Sequence, residues 1–262
     1  MLGYGVCTFL GQRKIDFAPL SRRDFDIVQD PLSKLEDYLR DVSIVINCAG
    51  VIKPMIAGTA IESVLKVNTI FPRNLARLCV GKSIRCFHIT TDCAFSGRKG
   101  GYTEDDVYDP EDVYGLSKAA GEPTDCMTLR TSIIGEEKEQ ARSLLSWAIS
   151  QKGKEVMGFT NHYWNGLTTT HFARIIERII SGNLYRRGIY HVFSPGRVSK
   201  YELLGILNDI YDLSLKITPV EADSPCDRTL SSIHDLSTLL CQEPIREQVV
   251  EMKEIFARAR RS

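Results

Sequence analysis

The chain has 262 residues, 33 Lys+Arg against 33 Asp+Glu, 43% hydrophobic and 25% charged residues. These proportions describe a folded globular protein of one large domain or two unequal ones and exclude a mainly disordered chain. A formal net charge of zero argues against a nucleic-acid partner, and no apolar run approaches the ~18 residues of a membrane span.

Residues 1–10 lack the basic flank of a secretory signal. Asp30-Pro31 predicts a helix start, a capping carboxylate followed by proline at the first helical position, with Leu32, Leu35 and Leu39 on one apolar face. Residues 43–47, Ser-Ile-Val-Ile-Asn, read as a short strand buried on both faces. The alternation continues with a helix over 59–80 broken near Pro72, a strand over 84–90, a helix over 113–121 and a strand over 127–130. Repeated strand and helix units predict an α/β fold, a Rossmann-like doubly wound parallel sheet. Further on, helices are expected over 137–152, 170–181, 199–213 and 245–260, and strands over 188–193 and 215–220, forming a smaller helix-rich lobe.

Eight cysteines are scattered singly, with no Cys-x-x-Cys pair and no histidine at ligand spacing. They read as reduced thiols of a cytoplasmic protein, and no metal site is expected. Six of the nine residues over 104–112 are acidic, which reads as a solvated surface turn.

The sharpest motif is Tyr114-Gly-Leu-Ser-Lys118. Residues i and i+4 share a helix face, so phenol and ammonium project into one space. A phenol with a pKa of about 10 is a poor acid at neutral pH unless a nearby positive charge stabilises its phenolate, which Lys118 can do. The pair is a candidate proton donor to a carbonyl oxygen. Thr91 stands at the carboxyl end of the strand over 84–90, where open parallel sheets bind ligands.

Together with Asn47-Cys-Ala-Gly-Val-Ile52, Val67-Asn68, Thr90-Thr-Asp92, Leu129-Arg-Thr-Ser132, Asn165-Gly-Leu-Thr168 and Gly188-Ile-Tyr-His191, these strings cover nearly the whole chain. In that order they resemble the extended short-chain dehydrogenase/reductases, specifically the dTDP-4-dehydrorhamnose reductase-like branch. The resemblance implies a dinucleotide-binding domain over 1–132 with parts of 156–195, and a substrate lobe over 133–155 and 196–262. It implies Tyr114 as general acid, Lys118 lowering the phenol's pKa and holding the nicotinamide ribose, Thr91 bonding the carbonyl oxygen, and Asn68 orienting the lysine or a relay water. Gly3, Asn47, Ala49 and Gly50 would meet the cofactor; Thr91, Asp92, Arg130 and Asn165 would meet the substrate. The implied reaction is reduction of the 4-keto group of a nucleotide-linked 6-deoxy sugar, for cell-surface polysaccharide synthesis, with room for a homodimer.

Two features depart from that family. Met1-Leu2-Gly3 matches only the last three positions of its glycine-rich turn, and the preceding strand has no counterpart, so a strand over 15–20 is expected to lack a neighbour on one side. Ile133 and Ile134 stand where some rhamnose-forming members carry an aromatic residue, which keeps UDP-linked N-acetyl sugars beside dTDP-4-dehydrorhamnose. Arg22 and Arg23 follow the strand expected to end near the adenosine ribose and suit a 2′-phosphate, favouring NADPH over NADH. Two alternatives remain. One is a nucleotide-sugar epimerase or dehydratase, though a dehydratase places a second carboxylate where Cys93 stands. The other is a non-catalytic regulatory subunit, a use of this fold beside methionine adenosyltransferase.

Overall fold

The computed structural model describes residues 1–138 and 142–261. In chain order the elements are α1 (Leu2–Gln12), α2 (Leu35–Tyr38), β1 (Ile44–Asn47), α3 (Ile61–Leu65), α4 (Phe71–Gly81), β2 (Arg85–Thr91), α5 (Val113–Ala120), β3 (Met127–Thr131) and β4 (Ile133–Ile134). Then follow α6 (Leu144–Ser150), β5 (Glu155–Phe159), β6 (His162–Trp164), β7 (Leu167–Thr168), α7 (Thr169–Ser181), β8 (Gly188–His191) and β9 (Val198–Ser199). The chain closes with α8 (Lys200–Tyr211), β10 (Lys216–Val220), β11 (Cys226–Asp227), α9 (Leu236–Leu240) and α10 (Ile245–Ala259).

The main sheet runs β1-β2-β3-β8, every pair parallel. Strand alternation sends Phe87 and Ile89 to one face, where Phe172, Ile175, Ile176 and Ile179 of α7 cover them. It sends Cys86 to the other, against Leu75, Ala76 and Cys79 of α4 and Leu35 of α2. Apolar side chains on both faces explain why β1 reads as a nearly uninterrupted hydrophobic run. The α/β expectation therefore holds, with helices on both sides of a parallel sheet.

A second core joins Leu145, Trp164, Leu203, Leu207, Val249, Met252 and Phe256, so α6, α8 and α10 pack around β6. Helix α8 starts with a capping box, in which the Ser199 hydroxyl accepts from the Glu202 amide and the Glu202 carboxylate accepts from the Ser199 amide. Small sheets pair β5 with β10 and flank β6 with β9 and β11; of these strands, β6, β9 and β11 carry no periodicity visible in sequence.

Four local expectations change. Residues 15–20 form no strand, and Ile15, Phe17 and Leu20 are exposed, while β1 ends the sheet as an edge strand. Asp30 caps no helix: its carboxylate accepts from the Asp26 amide and Lys34, and the segment begins as a 3-10 turn over Leu32–Lys34. The break expected near Pro72 comes one turn earlier, as a π-helical turn over Lys66–Ile70, because Pro72 has no N–H to give to the carbonyl four residues back. Of the helix expected over 137–152, α6 is the helical part, and residues 139–141 lie outside the described residues. Among the described residues no helix is long and apolar enough to cross a membrane.

Candidate active site

Strand β2 ends at Thr91, and the chain turns sharply through Asp92–Ala94 because the Thr91 hydroxyl accepts from the Cys93 amide at 3.2 Å. Helix α5 lies across this turn. Asp112 caps its start by accepting from the Gly115 amide at 2.8 Å, and Lys53 pairs with the same carboxylate at 2.7 Å. The Tyr114 phenol is thereby brought near Thr91, close enough for the hydroxyl to favour its ionised form.

Lys118 follows one turn later, buried, and its ammonium donates to the Ile89 carbonyl at 2.8 Å. Asn68, fully buried in the π-helical turn, accepts from the Val51 amide at 2.8 Å and donates to the Val51 carbonyl and the Ser117 hydroxyl, each at 3.0 Å. It thus ties the loop after β1 to α5. Gly50 closes the arrangement: a Cβ there would stand 3.6 Å from Asn68 Oδ1 and 3.8 Å from Lys118 Nζ, so the loop presents backbone alone to the lysine. Thr91, Tyr114, Lys118, Asn68 and Gly50 are thus brought together in one place.

The electrostatics differ from expectation at the tyrosine. Burial, with the neighbouring Cys93, pushes the Tyr114 phenol above its ordinary value; the lysine does not dominate its surroundings. Burial pushes Lys118 down to about 8, against the opposing pull of Glu122 and Cys48. Asp92 is raised by burial, although Arg228 and Lys200 pull the other way, and Cys93 is pushed up to about 12 by burial and Asp92.

Lys200 and Arg228 were not foreseen. Lys200 opens α8 and lies 5.8 Å from the Trp164 ring centre, while Arg228 donates to the Phe95 carbonyl at 2.9 Å. Both sit within electrostatic reach of Asp92 without forming an ion pair to it, so two cations face the turn after β2 from the second half of the chain. They are single residues more than 100 positions from Thr91, and no spacing announces them.

Two residues expected at the substrate make their bonds within the protein. Arg130 is wholly buried, with its guanidinium donating to Glu122 at 2.6 and 3.1 Å and to the Tyr108 hydroxyl at 2.6 Å, and with His191 Nε2 at 2.5 Å. Four of its five N–H donors are thus engaged inside the protein. Asn165 spans to the next lobe segment, donating to the Leu230 carbonyl at 2.8 Å and accepting from its amide at 2.9 Å. Asn47 likewise turns inward, accepting from the Ala49 amide at 3.1 Å and meeting His88 Nδ1 at 3.1 Å, so it shapes the loop that carries Ala49 and Gly50. Gly3, in the first turn of α1, faces Cys48 just beyond β1, its Cβ site 3.5 Å from the Cys48 Cβ. Arg22 and Arg23 sit on an exposed turn, Arg22 paired with Asp26 at 3.0 Å. The acidic turn is more than solvated surface: Glu104 accepts from the His191 and Ile233 amides, and Asp109 from Ser96.

Residues 1–253 match the family described as RmlD substrate binding domain. A dTDP-4-dehydrorhamnose reductase of Aggregatibacter actinomycetemcomitans is 29% identical over 202 residues, 72% of this chain and 66% of that protein, slightly under two thirds of its length. A methionine adenosyltransferase 2 subunit beta of Xenopus tropicalis is 22% identical over 200 residues, 71% of this chain and 60% of that one. The crystal structure of dTDP-4-dehydrorhamnose reductase from Bacillus anthracis in complex with NADP superposes with a TM-score of 0.78 at 22% identity, covering 98% of this chain and 95% of that one.

Proposed function

The chain belongs to the RmlD substrate-binding-domain family, and from that premise we propose that it reduces the 4-keto group of a nucleotide-linked 6-deoxy sugar, using NADPH or NADH. The observation that carries this reading is the convergence of Thr91, Tyr114 and Lys118 at the carboxyl end of β2, where a carbonyl oxygen can meet a phenol and a hydroxyl together. The solved relative's NADP supports the cofactor.

The chain fits the nicotinamide end of such a cofactor. The backbone-only wall at Gly50, the Lys118 ammonium beside it and Asn68 behind form a polar recess that a Cβ at position 50 would narrow. Gly3, Ala49 and Gly50 would line the approach, and Arg22 and Arg23 would meet a 2′-phosphate. A reduced nicotinamide held there would supply the hydride for C4 of the sugar. Tyr114, which burial keeps protonated, gives its proton to the oxygen that becomes the alcohol. Thr91 donates to that same oxygen, lowering the cost of charge developing there. Lys118 would hold the ribose hydroxyls and keeps positive charge near the phenol. Lys200 and Arg228 supply the charge that a diphosphate linker needs.

The substrate is dTDP-4-dehydrorhamnose or a UDP-linked N-acetyl analogue, and the setting is cell-surface polysaccharide synthesis in the cytoplasm, where the eight free cysteines stay reduced. The division into a dinucleotide-binding domain and a substrate lobe belongs to the same proposal, as does a homodimer, which light scattering tests. Following loss of reduced-nicotinamide absorbance with dTDP-4-dehydrorhamnose and with a UDP-linked 4-keto sugar tests the activity. Oxidation with neither overturns the reading. The likeness to methionine adenosyltransferase 2 subunit beta favours a second reading, a regulatory subunit without turnover. It predicts cofactor binding with no reduction of either sugar.

A further inference from the structure

Behind Lys118 lies a polar line that the proposed chemistry does not use. Asn47 and His88 face each other across the β1–β2 pair, on the same sheet face as Val45 and Cys86 by strand alternation. The Asn47 amide is oriented by its neighbour: Oδ1 accepts from the Ala49 amide, so Nδ2 is the end that meets His88 Nδ1. A ring nitrogen that accepts carries no proton. Burial, together with the Lys118 charge, holds His88 well below its ordinary pKa, so the ring is neutral and its proton stands on Nε2. That N–H is fully buried and has no partner among the described residues, and the same holds for the Thr90 hydroxyl, two residues on and on the same face.

Two orphaned polar groups on one strand face are costly in a dry interior, and a buried water with about three bonds is the usual remedy. Lys118 supplies the third bond: its ammonium has three N–H donors, and among the described residues the acceptor it reaches is the carbonyl of Ile89, the residue between His88 and Thr90. We infer that His88 Nε2–H and Thr90 Oγ1 hold a buried water that accepts a hydrogen bond from the Lys118 ammonium, making His88 a positioning residue for the lysine. The water accepts from His88 and Lys118 and donates to Thr90, three bonds in all. Its role is to give the ammonium an acceptor on the side away from the cleft, so the group stays charged while its other donors face the ribose. Cys48 beyond β1 and Glu122 beyond α5 also bear on the lysine, and both favour its charged form.

This deepens the reductase reading by explaining what holds Lys118, but its test needs no turnover. Lysine labelled with 13C at Cε follows the titration of Lys118 directly by NMR, the resonance identified by its absence in Lys118→Arg. Thr90→Val keeps the volume and removes the hydroxyl; His88→Leu removes the N–H; His88→Gln restores a donor near Nε2. The Lys118 midpoint should fall by about one pH unit in His88→Leu, the scale of one hydrogen bond to a charged group, and by somewhat less in Thr90→Val. His88→Gln should return most of it. Thr90→Val should also lower Tm, since a hydroxyl that bonds a water loses a partner, whereas removal of an orphaned hydroxyl would raise it. A Lys118 midpoint unchanged in either His88→Leu or Thr90→Val overturns the inference.

Discussion

A Cβ placed on Gly115 would lie 2.1 Å from the carbonyl oxygen of Cys93. Helix α5 can lie across the turn after β2 only where it has no side chain, and this approach brings the Tyr114 phenol to Thr91. Gly115→Ala forces the helix outward, and overpacking of this kind costs about 1–3 kcal/mol. Turnover should fall with it. Gly205, inside α8, has nothing within 4 Å of its Cβ site, so Gly205→Ala should raise stability by about 0.5–1 kcal/mol through helix propensity. Urea denaturation of both variants checks the contrast, and equal effects would remove the packing argument.

If Tyr114 is the acid, Tyr114→Phe should lower turnover by roughly 10²-fold or more, the scale of general-acid catalysis, and leave the fold intact. Thr91→Val should do less. Steady-state rates on whichever 4-keto nucleotide sugar the parent reduces are the measure. A Tyr114→Phe variant as active as the parent would falsify the mechanism.

The sheet and part of the candidate site were legible in the sequence because both depend on local patterns: an apolar run for β1, strand and helix segments in alternation after it, and i,i+4 spacing for Tyr114 and Lys118. Position Arg130 shows where that legibility stops. The family resemblance placed it at the substrate, but only the fold brings Glu122, Tyr108 and His191 around it, and such three-dimensional pairing has no sequence period. Residues 15–20 fail differently. Their alternation is strand-like, yet a strand needs a neighbour, and among the described residues none pairs with them.

The Arg130–Glu122 pair yields a prediction that separates a structural from a substrate role. Both side chains are almost wholly out of water, and breaking such a pair leaves an uncompensated buried charge at a cost of about 3–5 kcal/mol. Glu122→Gln should therefore lower Tm sharply while the folded fraction keeps its KM for the sugar. A raised KM at unchanged Tm would return Arg130 to the substrate site.

Lys118 sets the direction of the alkaline limb. Its ammonium persists below about 8 and is lost above, so turnover should fall as pH rises through that value. In the unfolded chain the lysine keeps its proton to near its ordinary 10.5, so between about 8 and 10.5 the unfolded state binds more protons and this group's contribution to stability rises. Activity and this part of stability move in opposite directions. Lys118→Met should abolish turnover yet be no less stable than the parent at neutral pH, since it removes a buried charge. A pH–rate profile flat to pH 10 would sink the assignment.

In the proposed reading, cofactor choice rests on the exposed turn that carries Arg22 and Arg23. A 2′-phosphate offers charge-assisted bonds that NADH lacks, and two free guanidinium groups would favour NADPH by about tenfold or more. Arg22, however, is paired with Asp26 at 3.0 Å, and its side chain is 79% exposed. An exposed pair of this sort is worth at most about 1 kcal/mol, so a phosphate can displace Asp26 at modest cost. Three outcomes follow from that competition. The parent should prefer NADPH, replacing both arginines with alanine should erase the preference, and Asp26→Asn should widen it by releasing Arg22 from its carboxylate. Titrating each form with NADPH and with NADH by nicotinamide fluorescence measures all three. A parent that binds the two cofactors equally, or an Asp26→Asn variant that loses its preference for the phosphorylated one, moves the 2′-phosphate away from this turn.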